Sequence, residues 1–60
     1  MTVFEGIVSW TNHEDTEWVS SFWTTPEGAR SWAEQTAQNL DESECRDVFV
    51  EVRDIAVNEG

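Results

Sequence analysis

The sequence predicts an α+β fold, a three-stranded antiparallel sheet in the order 2-1-3 with one helix packed on one face, connected β-β-α-β. Three observations predict it. Residues 2–10 and 46–57 alternate along their length as half-buried strands do. The polar run 11–17 separates the first of these from an aromatic and β-branched stretch, 18–24, as a hairpin loop would. Between the second and third strands, apolar residues recur at three- and four-residue spacing behind a helix-start sequence. Sixty residues make a single domain over 1–60.

In the first strand Phe4, Gly6, Val8 and Trp10 share one face, and Val3, Glu5, Ile7 and Ser9 the other. In the second, Trp18, Ser20 and Phe22 are expected under the helix, and Val19, Ser21 and Trp23 on the opposite side. Thr25-Pro26-Glu27 opens the helix. A threonine hydroxyl caps, proline fits the first helical position, and glutamate favours the positive end of the helix dipole. Ala29, Trp32, Ala33, Thr36, Ala37 and Leu40 then form one apolar stripe over roughly 26–40. Trp32 reads as core, with Gly6 leaving room for it. Gly28 in the first turn costs helix stability and has no evident reason in the sequence. In the third strand Val48, Val50 and Val52 face the helix, and Phe49, Glu51, Arg53 and Ile55 face away.

Charge narrows the function. Thirteen Asp/Glu against three arginines and no lysine give a net charge of −10. That balance argues against direct contact with nucleic acid or anionic membrane, which takes a basic patch that releases counterions. Apolar stretches of three or four residues cannot span a bilayer. The first ten residues have no basic n-region and carry Glu5 among their apolar residues, unlike a signal peptide. One cysteine, Cys45, excludes an intramolecular disulfide, and a single free thiol points to a cytoplasmic setting. With His13 the only histidine, no zinc set exists, and neither acidic loop has the spacing of an EF-hand. No catalytic residue, metal or cofactor is expected. His13 reads as a surface residue and Cys45, beside both Arg46 and acidic neighbours, as an unreactive thiol.

Two surfaces are candidates for binding. Glu14, Asp15 and Glu17 in the hairpin loop and Asp41, Glu42, Glu44 and Asp47 after the helix are expected at one end of the domain. Such an acidic pole would suit a basic protein partner. The uncovered sheet face is expected to carry Ile7, Val19, Trp23, Phe49 and Ile55, with Trp23 the best anchor for an interface. Such a face favours a homodimer, since a chain of this size gains stability from association.

The segment Phe22-Trp23-Thr24-Thr25-Pro26-Glu27-Gly28-Ala29, running on to Ala33, resembles a strand-to-helix pattern of small phage and prokaryotic proteins. In size and charge the chain also resembles phage-borne inhibitors of the anti-CRISPR and nucleic-acid-mimic kind. That resemblance implies an inhibitor occupying a basic, nucleic-acid-handling host protein, and it carries no site residue with it. The alternative reading is a structural homodimer whose acidity serves solubility or salt adaptation.

Overall fold

The computed structural model describes residues 1–13 and 15–57. Strand β1 spans Thr2–Asn12, β2 Asp15–Trp23, helix α1 Pro26–Gln38 and β3 Cys45–Ala56. The sheet order is β2-β1-β3, with both pairings antiparallel. The topology is therefore the β-β-α-β arrangement that the sequence predicts. The end of the sheet away from the hairpin is tied by Val57 N, which donates to Met1 O at 2.8 Å where β3 leaves the start of β1.

The hairpin is tighter than expected. Most of the polar run 11–17 belongs to the ladder, with Thr11 opposite Thr16 and Asn12 opposite Asp15. Thr16 and Asp15 are exposed there, while Thr11 and Asn12 are half-buried. His13 takes the left-handed conformation, φ 53°, right after β1 ends.

The tight hairpin settles which side chains share a face. Facing residues of β1 and β2 have numbers summing to 27, as in Phe4 with Trp23 and Val8 with Val19. An odd sum places even residues of β1 beside odd residues of β2. Val19 and Trp23 therefore lie on the helix side, not on the open face where sequence alternation alone puts them. Trp18 and Phe22 are correspondingly on the open face, not under the helix. A one-residue change of register exchanges both faces of a strand, and the seven-residue loop expected from the sequence conceals it. Facing numbers of β1 and β3 sum to 58 from Thr2 to Ser9, so Val50 and Val52 lie on the helix side as expected. Beyond Ser9 a β-bulge shifts this pairing, and Asp47 within it adopts φ 52°.

Helix α1 is capped by Thr25, whose Oγ1 accepts from Gly28 N at 3.1 Å. Pro26 follows in the first turn, where its missing N–H costs no helical bond. The helix crosses β1 at Gly6. A Cβ there would stand 2.6 Å from the Ala29 carbonyl oxygen and 3.1 Å from Trp32 Cε3. Gly6 thus sets how closely helix and sheet approach. Gly28 has a similar explanation, because its absent side chain leaves space for the Trp23 indole, with Cε3 3.1 Å from where a Cβ would be. Val8, Ala29 and Ala33 are the fully buried hydrophobic residues, while Trp32 is half-buried. This is a thin core for one sheet and one helix.

Candidate interaction surfaces

The first surface is the end of the sheet where β1 terminates. Asn12 pairs with Asp15 on one side and with Cys45 on the other. That double pairing brings the hairpin connection and the 39–44 connection together. Asp15, Glu17, Asp41, Glu42, Glu44 and Asp47 gather at this end; Glu14 lies outside the described residues. Arg46 joins the two segments by donating from Nη2 to the His13 carbonyl oxygen at 3.2 Å. On the helix side, Trp10 Nε1 donates to Glu17 Oε2 at 3.2 Å. The 41–45 turn is pinned by Asp41: its Oδ1 accepts from Ser43 N at 2.9 Å and Ser43 Oγ at 2.7 Å. Its carbonyl oxygen accepts from Glu44 N and Cys45 N at 3.0 and 2.8 Å. The Ser43 hydroxyl bond, then the backbone bond, holds the Asp41 carboxyl below the usual aspartate value. Among the described residues no group of three His, Cys, Asp or Glu is placed to hold a metal ion. The described carboxylates here are exposed and present a negative field.

The second surface is the sheet face that α1 leaves open. Register places three rows across it: Phe22-Glu5-Arg53, Ser20-Ile7-Glu51 and Trp18-Ser9-Phe49. Val3 and Ile55 continue it at one end, and Thr16, Thr11 and Arg46 at the other. Large aromatics therefore occupy the two edge strands, while β1 contributes the shorter Ser9 and Ile7 between them. Trp18, Phe22 and Phe49 are 65, 61 and 67% exposed. Trp23 and Val19, on the helix side, are 37 and 38% exposed, so the helix shelters them only in part. Ile7, Phe49 and Ile55 stand on the open face as the alternation predicts.

Charge on this face differs from the rest of the chain. Its alternation holds two carboxylates, Glu5 and Glu51, and two guanidinium groups, Arg46 and Arg53, for a local balance of 2 − 2 = 0. Two of the three arginines of a −10 chain are on this one surface. Arg53 Nε and Glu51 Oε2 form an exposed ion pair at 3.0 Å, which orients both groups more than it stabilises the fold. Trp18 and Phe22 are the site residues that alternation misses. A hairpin reading with only two residues between the strands would have found them, because it fixes the parity of β2.

A shallow groove of about 290 Å³ runs between the end of α1 and the start of β3, lined by Ala37, Gln38, Leu40, Glu42, Cys45 and Val48. Among the described residues no helix is long and apolar enough to cross a membrane. No protein-family model matches the chain, and neither a curated protein nor a solved structure does.

Proposed function

We propose that this chain is a protein-binding module with no chemistry of its own, and that the open sheet face is its principal contact surface. One observation supports it above the others: Trp18, Phe22 and Phe49, each more than half exposed, lie on one continuous face. Scattered apolar residues on a surface are ordinary, but three large exposed aromatics on one sheet face, with Ile7 among them, favour a contact site. Aromatic side chains bring large area at small entropic cost, and interface anchors are drawn from them. A photo-crosslinking benzoylphenylalanine at position 49, in the cells that make the protein, tests this reading. Protein adducts at 49 and none from position 31 on the outer side of α1 are expected. No adduct at 49 overturns the reading.

The acidic end supports a second contact, with a basic protein. What favours it is the meeting of the two acidic connections at Asn12, with Arg46 engaged on His13 O. A partner there would present Arg or Lys, and the phage-type inhibitor of a nucleic-acid-handling protein is the form this reading takes. Reversing Asp15, Asp41 and Glu42 to lysine should abolish capture of such a partner at low salt. Capture that survives in the folded variant removes the acidic end from the function.

A further inference from the structure

We infer that the occupant of the open sheet face is a second copy of this chain, related by a two-fold axis running along β1. This rests on the reading of that face as a contact surface and adds the identity of its partner.

Three observations on the face converge on it. The first is electrostatic. Two chains of −10 repel wherever their carboxylates meet, and the open face is the one broad surface whose described charges cancel. A basic foreign partner would find no negative field there, whereas an identical neutral face meets no net repulsion. The second is size. The molecule measures 44 × 20 × 11 Å, and its broad face matches the roughly 800 Å² per partner of a standard interface. The third is need. With Val8, Ala29 and Ala33 as its fully buried hydrophobic residues among those described, the lone chain leaves Trp18, Phe22 and Phe49 each more than half exposed. Stacking two sheets at the usual ~10 Å converts both open faces into a core.

The row pattern fixes which residues each axis would bring together. A two-fold along β1 lays β2 of one copy over β3 of the other. Trp18 then faces the partner subunit's Phe49, and Phe22 faces the partner subunit's Arg53. The first is an aromatic pair and the second a cation over a ring. Ser20 meets the partner subunit's Glu51, a hydroxyl against a carboxylate, and Ser9, Ile7 and Glu5 meet their own copies at the axis, the Glu5 pair lying in the row where the Arg53 of each chain flanks it. An axis across the strands instead sets Glu51 against the same residue of its partner, and Arg53 against Phe49.

Sedimentation of the purified full chain across ~0.05 to ~1 M sodium chloride tests the inference. Dimerisation that strengthens with salt is expected, because screening removes the long-range repulsion and leaves the face contact. Phe49→Ser should weaken it by about tenfold or more. Phe49 is so exposed that the fold should survive, as far-ultraviolet circular dichroism would show. If that variant does not fold, Trp18→Ser on the other edge strand decides in its place. Crosslinking from position 49 in the purified dimer should map to the β2 segment around Trp18. Monomer at every salt concentration, a dimer unaffected by the folded variant, or adducts mapping to β3 would each overturn the inference. In cells, adducts at 49 to other proteins only would sink the second copy while leaving the binding module standing; no adducts at all would sink both.

Discussion

At the hairpin end, six described carboxylates stand around Arg46; along the open face, Glu5 and Glu51 stand against Arg53, with Arg46 shared at the border of the two regions. Strand β1 serves both regions, ending in the first and running through the middle of the second. A coat of charge laid down only for solubility would cover exposed surface evenly. Here the carboxylates are offset by arginines on the face where aromatic residues are exposed. The difference gives the two regions opposite salt responses. Contact through the open face gains as salt screens the repulsion between chains, and contact through the acidic end with a basic protein weakens. One salt series therefore separates the two proposed contacts.

The largest effect expected is the loss of the fold that keeps these regions distinct. Gly6→Ala places a Cβ 2.6 Å from the Ala29 carbonyl oxygen, which is backbone and cannot rotate aside. Lifting α1 to accommodate it should cost about 1–3 kcal/mol, a large share of what a domain with so thin a core holds. Urea denaturation at fixed salt and protein concentration checks it. A midpoint equal to wild type would mean the helix is not seated on Gly6, and the distinction between covered and open faces would fall with it. Next comes the helix start. Thr25→Ala removes the acceptor for Gly28 N and should cost about 1 kcal/mol. The first turn of α1 covers Trp23, so the variant should also redden Trp23 emission while leaving the open face unchanged. A shift confined to denaturation, with no change in tryptophan emission, would detach the cap from the shelter of Trp23.

The order of elements, a helix over roughly 26–40 (Pro26–Gln38 in the structure) and the end at which the acidic segments meet were legible in the sequence. Thr25-Pro26 announces the helix locally, and the hairpin direction follows from connectivity. The faces of β2 were not legible. Parity depends on how many residues lie between paired strands, and a run of polar residues looks like loop whether or not it is hydrogen-bonded. Trp18 and Phe22 changed places with Val19 and Trp23 for that reason alone. The bulge at Asp47 was equally hidden, since the left-handed conformation there is taken by an aspartate and not by the glycine that usually signals it. Gly28 gains its reason only from Trp23, twenty-three positions into the chain and on a face the alternation misassigned.

A smaller effect should come from trimming the acidic end. Asp41→Asn, Glu42→Gln and Glu44→Gln together take the net charge from −10 to −7 per chain, as three carboxylates are removed. None lies on the open face. If the face is where chains associate, its contacts are unchanged and only the repulsion falls, so association at low salt should rise about two- to fivefold. At ~1 M salt, where the Debye length is about 3 Å, variant and wild type should converge. Equal sedimentation at low salt would show that the two regions do not sense each other.

The smallest effect concerns a single carboxyl. Asp41 accepts two bonds from Ser43, at 2.7 and 2.9 Å, and these hold its pKa below the ordinary aspartate value. A carboxyl with a depressed folded pKa adds stability above its unfolded pKa, and that stability is lost as pH falls through the folded value. Asp41 therefore favours the 41–45 turn at neutral pH and releases it only in acid. Because the group is fully exposed, the contribution belongs to the turn more than to the whole fold. Ser43→Ala removes the larger of the two bonds and keeps the backbone one. The Asp41 carboxyl should then titrate higher, part of the way back to the usual value, as its carbon chemical shift would report across an acid titration. The fold and the open face should be untouched. If Asp41 titrates identically in the variant, the hydroxyl does not hold the turn, and the acidic end is looser than its hydrogen bonds indicate.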